Sequence, residues 1–188
     1  GRTMMYYGAK ALAESFRTVR GNTIKAAEDI PESQYGYQAA PETRTVEKML
    51  THIALSHRFS HQFHVGERRS NFEGMDFPKL FAEFQALEAK PRTKAEVIAL
   101  LKENGELWAT TLEGLSDQFL SEVVSMPPGA TPASKTRFEM LLSVKEHEMH
   151  HRSQIMLIER MLGIVPHLTR EAQQRMQQMQ SQQAQKNA

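Results

Sequence analysis

The chain has 188 residues, a length that suits one domain with a real core. Its 23 Lys and Arg residues nearly balance 22 Asp and Glu, giving a formal net charge of +1, and no basic stripe speaks for a nucleic-acid partner. No apolar run reaches the roughly 20 residues that span a bilayer, so no membrane partner is expected. The absence of cysteine excludes disulfides, thiolate ligands and a cysteine nucleophile, but it fixes no compartment. Gly1 reads as an expression remnant, so the protein is expected in the cytoplasm unless a leader was removed upstream. Val, Ile and Thr are scattered, while Ala, Leu, Met, Glu, Lys and Gln abound, a balance that favours helices.

Residues 3–29 read as a first helix, with Ala11, Leu12, Ser15, Phe16, Val19 and Ile24 near helical spacing and Gly21 as a weak point. Pro31 ends it, and residues 31–42 connect. Thr43 or Thr45 is the expected cap of a second helix running to about Glu67, with Glu47 suited to its first turn. Gly66, Gly74 and Pro78 punctuate a loop, and residues 79–89 form a short helix inside a long crossing. Thr93 starts a third helix over about 94–114, striped by Val97, Leu100, Leu101, Trp108, Leu112 and Leu115. The segment MPPGATP, residues 126–132, is not helical. Ser134 is expected to open a fourth helix reaching about Leu162, where Gly163 and Pro166 stop it. These segments predict an all-α, antiparallel four-helix bundle over residues 1–166 with a long crossover between helices 2 and 3. The Gln-rich tail, 167–188, is either helical or frayed.

The chemistry lies in KEHEMHHRSQI, residues 145–155. His147, Glu148 and His151 spell H-E-x-x-H, the zinc-protease pattern in which two histidines hold the metal and the glutamate is the base. On a helical wheel His151 lies about 40° from His147, on a face shared with Met140, Val144, Ile155, Ile158 and Leu162. Buried imidazoles need partners, which a cation supplies to both at once; two core histidines hydrogen-bonded across the bundle are the plainer alternative. A third ligand would decide between them. In the second helix His52 stands among the core positions Met49, Phe59 and Phe63. His57, His61 and His64 gather at the edge of that sector, as partly solvated side chains or a second, exposed metal site.

A histidine early in the second helix (TVEKMLTHIA, 45–54), followed by HEMHHRSQI (147–155) and LIERMLGI (157–164), resembles the DinB-like family of metal-binding four-helix bundles. The likeness covers about residues 8–165 and rests on two separated segments in the right helix order. It implies a three-histidine site of His52, His147 and His151, with His150 left out because the family uses the i,i+4 pair. Ser153 replaces the family's usual glycine, away from the ligand face. The protease reading lacks a matching third ligand: the metzincin spacing puts Leu157 where a histidine is required, and Glu159 or Glu171 would serve only in a different fold.

The resemblance implies one divalent ion, with Zn or Ni expected and Fe or Mn as alternatives. It also implies a homodimer, and a metal-dependent enzyme that activates a thiol or water for transfer to, or hydrolysis of, a small molecule. A low-molecular-weight thiol such as bacillithiol, mycothiol or glutathione would be the second cofactor. A non-catalytic structural or sensor bundle is the alternative, and an H-E-x-x-H metalloprotease the minor one. No residue is assigned a catalytic role; Gln154, on the ligand face, and Glu148 are the candidates to support the ligands from behind, and Arg152 reads as half of a structural ion pair.

Overall fold

The computed structural model describes residues 6–188. Helix α1 spans Ala9–Asp29 and buries Leu12, Phe16, Val19, Ala26 and Ala27 along one stripe. The expected start at residues 3–5 lies outside the described residues, and residues 6–8 are not helical. Gly21 does not interrupt the helix. Thr45 caps α2, Val46–Leu55, by accepting from the Lys48 amide.

The second long helix departs from the sequence expectation. After Leu55 the chain passes through Ser56, whose hydroxyl donates back to the His52 carbonyl. It continues as the short α3, His57–Ser60, and then a π-helical turn, His61–Gly66. A hydroxyl competing for a main-chain carbonyl loosens a helix, and π turns widen it. The side chains beyond Ser56 therefore leave the ideal 100° wheel.

The crossing contains α4, Phe77–Ala89, capped by Asp76 on the Lys79 amide. It has no buried residue but lies against α2. Helix α5, Lys94–Glu113, begins with a full capping box between Thr93 and Glu96 and buries Val97, Leu101, Trp108 and Leu112. Helix α6 is Asp117–Ser121. A two-stranded antiparallel hairpin follows, β1 Val123–Ser125 against β2 Ser134–Thr136. That pairing absorbs Ser134, so the last bundle helix, α7, starts at Arg137 with Thr136 as its cap and runs to Met161. Gly163, at φ +81°, turns the chain away. Helix α8, His167–Lys186, is held to α1 by His167–Asn22 and Arg170–Asp29, and residues 172–188 are exposed.

Helices α1, α2, α5 and α7 make the four-helix bundle, joined across its middle by the long α4 crossing. Two apolar clusters fill it. One gathers Ile30, Leu50, Ile53, Leu101 and Ile155; the other gathers Leu12, Phe16, Trp108, Leu112 and Leu141. Among the described residues no helix is long and apolar enough to cross a membrane.

Candidate metal centre

His52 sits two turns into α2, and His147 and His151 occupy successive turns of α7. The three rings meet edge to face, with centroids 5.0, 4.9 and 4.5 Å apart. His147 Nε2 lies 3.2 Å from His52 Nε2 and 3.1 Å from His151 Nε2. A tetrahedral ion with metal–nitrogen bonds of about 2.0–2.1 Å sets its ligand nitrogens roughly 3.3 Å apart. Among the described residues this is the one group of histidine and carboxylate side chains close enough to share an ion. The cluster is half-buried, and His52 keeps 21 % of its side chain exposed, so one side stays open.

What stands behind the rings sets which nitrogens face inward. His52 Nδ1 donates to Glu88 Oε1 from α4, and His151 Nδ1 donates to Gln154 Oε1 at 2.9 Å. Each bond holds a proton on Nδ1 and leaves the Nε2 lone pair directed at His147. Two lone pairs aimed at a third ring nitrogen suit a cation better than a hydrogen bond, because one N–H cannot be shared well between two acceptors. The donor set therefore fits a divalent metal. Burial pushes His147 down to about 4, helped by the other three histidines and Arg44, and burial likewise lowers His151 against the opposing bond from Gln154. Both rings are neutral at pH 7, the form that ligates. For Glu88, burial raises the carboxyl, yet the His52 bond and the Arg44 charge outweigh it and hold it below the ordinary carboxylate range. Arg44 Nε donates to Glu88 Oε2 at 3.1 Å.

Neither Glu88 nor Arg44 is legible in the sequence. Glu88 lies on the crossing helix and Arg44 just before the Thr45 cap, and no spacing rule links either to a histidine of another segment.

Glu148 corrects the sequence reading. Its carboxylate takes bonds from Arg20 Nε at 3.1 and 3.0 Å, Arg20 Nη2 at 3.0 Å and Thr23 Oγ1 at 2.7 Å, with both charged partners almost wholly buried. Arg20 also donates to the carbonyls of Leu101 and Ile53. Gly105 makes the room, since a Cβ there would stand 2.8 Å from Arg20 Cγ. Glu148 thus ties α7 to α1 and supports no imidazole. Arg152, expected in an ion pair, makes none among the described residues.

His57, His61 and His64 do not assemble either. His57 is buried against Trp108, at 5.6 Å between ring centroids, because α5 covers the flank that the wheel left open. The π turn carries His64 inward, where its Nδ1 accepts from Arg137 Nη1 at 2.9 Å; Arg137 Nε in turn donates to Glu122 at 2.8 Å. Only His61 is exposed. Burial first, then the neighbouring Arg20 or Arg137 charge, pushes His57 and His64 each down to about 4.

The DinB superfamily model matches residues 15–155. No curated protein matches the chain. Among solved structures, YfiT from Bacillus subtilis superposes with a TM-score of 0.64 at 20 % identity, over 87 % of this chain and 93 % of that one; it is described as a probable metal-dependent hydrolase with an unusual four-helix bundle topology. A DinB-like protein of the same organism, YjoA, gives a TM-score of 0.57 at 24 % identity, over 81 % and 92 % of the two chains. Structural likeness at such identity speaks for the fold, while the family match spans most of the sequence: the chain belongs to the DinB superfamily.

Proposed function

We propose that His52, His147 and His151 hold one divalent cation and that the protein is a metal-dependent enzyme acting on a small molecule. The observation that carries this reading is the inward convergence of three Nε2 atoms, two of them turned by an acceptor behind the ring. A divalent ion bound by three neutral imidazoles supplies Lewis acidity and lowers the pKa of a water or thiol beside it. The chain's own residues do the rest. Glu88 and Gln154 fix ring orientation and tautomer, and burial disfavours the charged form of His147 and His151. Imidazole donors favour Zn or Ni, with Fe or Mn next.

Water and an external thiol are both suited to the open side. Hydrolysis is the first reading, because YfiT is described as a probable metal-dependent hydrolase. Thiol transfer is the second, and the thiol would have to come from outside, since the chain has no cysteine. The metalloprotease reading loses its base: Glu148 is held by Arg20 and Thr23.

Protein prepared without an affinity tag is expected to carry about one ion per chain by elemental analysis, and His52→Ala to lose it while staying helical. Chains that take up no Zn, Ni, Fe or Mn would sink the reading. Metal-replete protein that turns over neither a panel of esters and amides nor an electrophile with added thiols would leave a non-catalytic metal-binding bundle instead.

A further inference from the structure

Among the described residues Arg44 is the one cation bonded directly to the carboxylate behind a candidate ligand, and most of its hydrogen-bonding capacity is unspent. Only Nε is engaged, on Glu88. Among the described residues, neither Nη1 nor Nη2 has a protein acceptor, and 40 % of the side chain is exposed. Two buried arginines of the bundle differ: Arg20 uses Nε, Nη1 and Nη2 on Glu148, Leu101 and Ile53, and Arg137 uses Nε and Nη1 on Glu122 and His64.

The backbone that carries Arg44 is pinned on both sides. Thr45 pairs with Gln38 in an antiparallel bridge, Gln38 Nε2 donates to the Thr43 carbonyl at 2.6 Å, and the Val46 amide donates to the Tyr37 carbonyl at 3.0 Å. Nε is then fixed by Glu88, whose other oxygen holds His52, so one carboxylate sets the guanidinium and a candidate metal ligand side by side. A planar fork already oriented loses little entropy on taking a second planar anion.

The charges around the opening ask for such an anion. Imidazole ligands bring no charge to the ion, Glu88 and Arg44 pair with each other, and the charge of a divalent ion stays uncompensated. A ligand with one anionic donor for the ion and a carboxylate for the free fork answers both features. Resting on the reading of the site as a metal centre open on one side, we infer that Arg44 is the residue that selects substrate there: its Nη groups take the carboxylate of a small mercapto- or hydroxycarboxylate whose other donor faces His52, His147 and His151.

A matched pair of probes tests this. 3-Mercaptopropionate and 3-mercaptopropionamide have the same length and thiol and differ in charge. Each is titrated into the cobalt(II)-loaded full-length chain, and the sulfur-to-cobalt charge-transfer band gives the dissociation constant. The acid is expected to bind about tenfold tighter than the amide to the parent protein, as one charge-assisted fork allows. Arg44→Gln should abolish the preference by weakening the acid alone, and Arg44→Lys should restore part of it. Cobalt content, read by elemental analysis, should be unchanged in both variants. Equal binding of acid and amide in the parent protein overturns the assignment while leaving the metal centre standing. A preference that survives Arg44→Gln does the same, because the ion alone would then be its source. If cobalt binds and neither thiol gives a band, the open site falls, and the assignment to Arg44 with it. If cobalt does not bind at all, the metal centre itself is wrong.

Discussion

Two sets of histidines share the same stretch of the bundle, and they differ in what stands behind each ring. His52 and His151 have acceptors at Nδ1, Glu88 and Gln154, which hold the proton outward and present a lone pair to a shared point. His64 has a donor there instead: Arg137 consumes its Nδ1 lone pair, and Glu122 neutralises the arginine. His57 packs on Trp108, and its buried Nδ1 has no hydrogen-bond partner among the described residues. Burial disfavours the charged form of His147 and His151 and equally of His57 and His64, so neutrality alone does not make a ligand. The direction of the free lone pair does, and the outer partner sets that direction.

Breaking the first set should have the largest effect. His147→Ala removes the nitrogen that both other rings approach, and two ligands remain where a stable site needs at least three. Metal affinity is expected to fall by a factor on the order of a thousand or more, read by competition with a chromophoric chelator. Retained affinity would mean that the ion sits elsewhere. Glu88→Ala is the next step down. It leaves all three ligands but frees the His52 ring, and the expected loss is about 10–100-fold, in the range typical of groups that orient a ligand from behind. Gln154→Ala should cost less than Glu88→Ala, since a neutral amide is a weaker acceptor than a carboxylate. If the order is reversed, the carboxylate is not what orients the site.

How much of this was readable depends on what each feature needed. His147 and His151 share a face by spacing alone, and His52 needed only the wheel of a second segment. The bundle and its crossing followed from Gly and Pro punctuation between apolar stripes. Glu88 depends on how α4 docks on α2, a long-range contact that leaves no periodic trace. An ideal wheel puts His57 and His64 on a solvated flank because it contains no π turn, and because nothing in their own segment shows that Trp108 of α5 covers it. Glu148 misled in the opposite way. The H-E-x-x-H spacing is real, but a glutamate next to a ligand projects about 100° away from it, and here the partner on that side is Arg20. The hairpin leaves no sign in the sequence because three-residue strands are too short to show alternation.

The second set should register in stability, not in metal binding. His57 and His64 have ordinary pKa values near 6.5 when unfolded and about 4 when folded. Between those values the unfolded chain binds protons that the folded chain refuses, so their stabilising contribution is full above pH 6.5 and is lost as pH falls toward 4. Each is worth up to about 3 kcal/mol by this linkage, and His147 adds to it in metal-free protein. His64→Gln keeps an acceptor for Arg137 and removes one titration. Urea unfolding from pH 4.5 to 7 should show a shallower acid limb for this variant, with metal stoichiometry unchanged. An unaltered limb would mean that His64 is protonated in the folded protein.

Glu159 gives the smallest expected effect and sharpens the pH comparison, because its sign is opposite. It lies on α7 two turns beyond His151, fully buried, and neither carboxylate oxygen has a hydrogen-bond partner among the described residues. Burial, then the Asp29 charge, raises its pKa from 4.5 to about 7, against the opposing pull of Arg170 and Arg160. Here the folded chain holds a proton that the unfolded chain releases, so this contribution is complete below pH 4.5 and is lost as pH rises through 7. The histidine limb and the Glu159 limb therefore overlap and partly cancel between pH 4.5 and 6.5. Glu159→Gln removes one of them without changing the side chain's shape. The variant should gain roughly 1–2 kcal/mol over the parent at pH 8, less than the full linkage because a buried amide without partners carries its own cost. Relative to that gain it should be disadvantaged at pH 4.5, where the parent's carboxyl is already protonated. A parent-minus-variant difference that is the same at both pH values would show that Glu159 titrates normally in the folded chain, and the whole acid limb would then belong to the histidines.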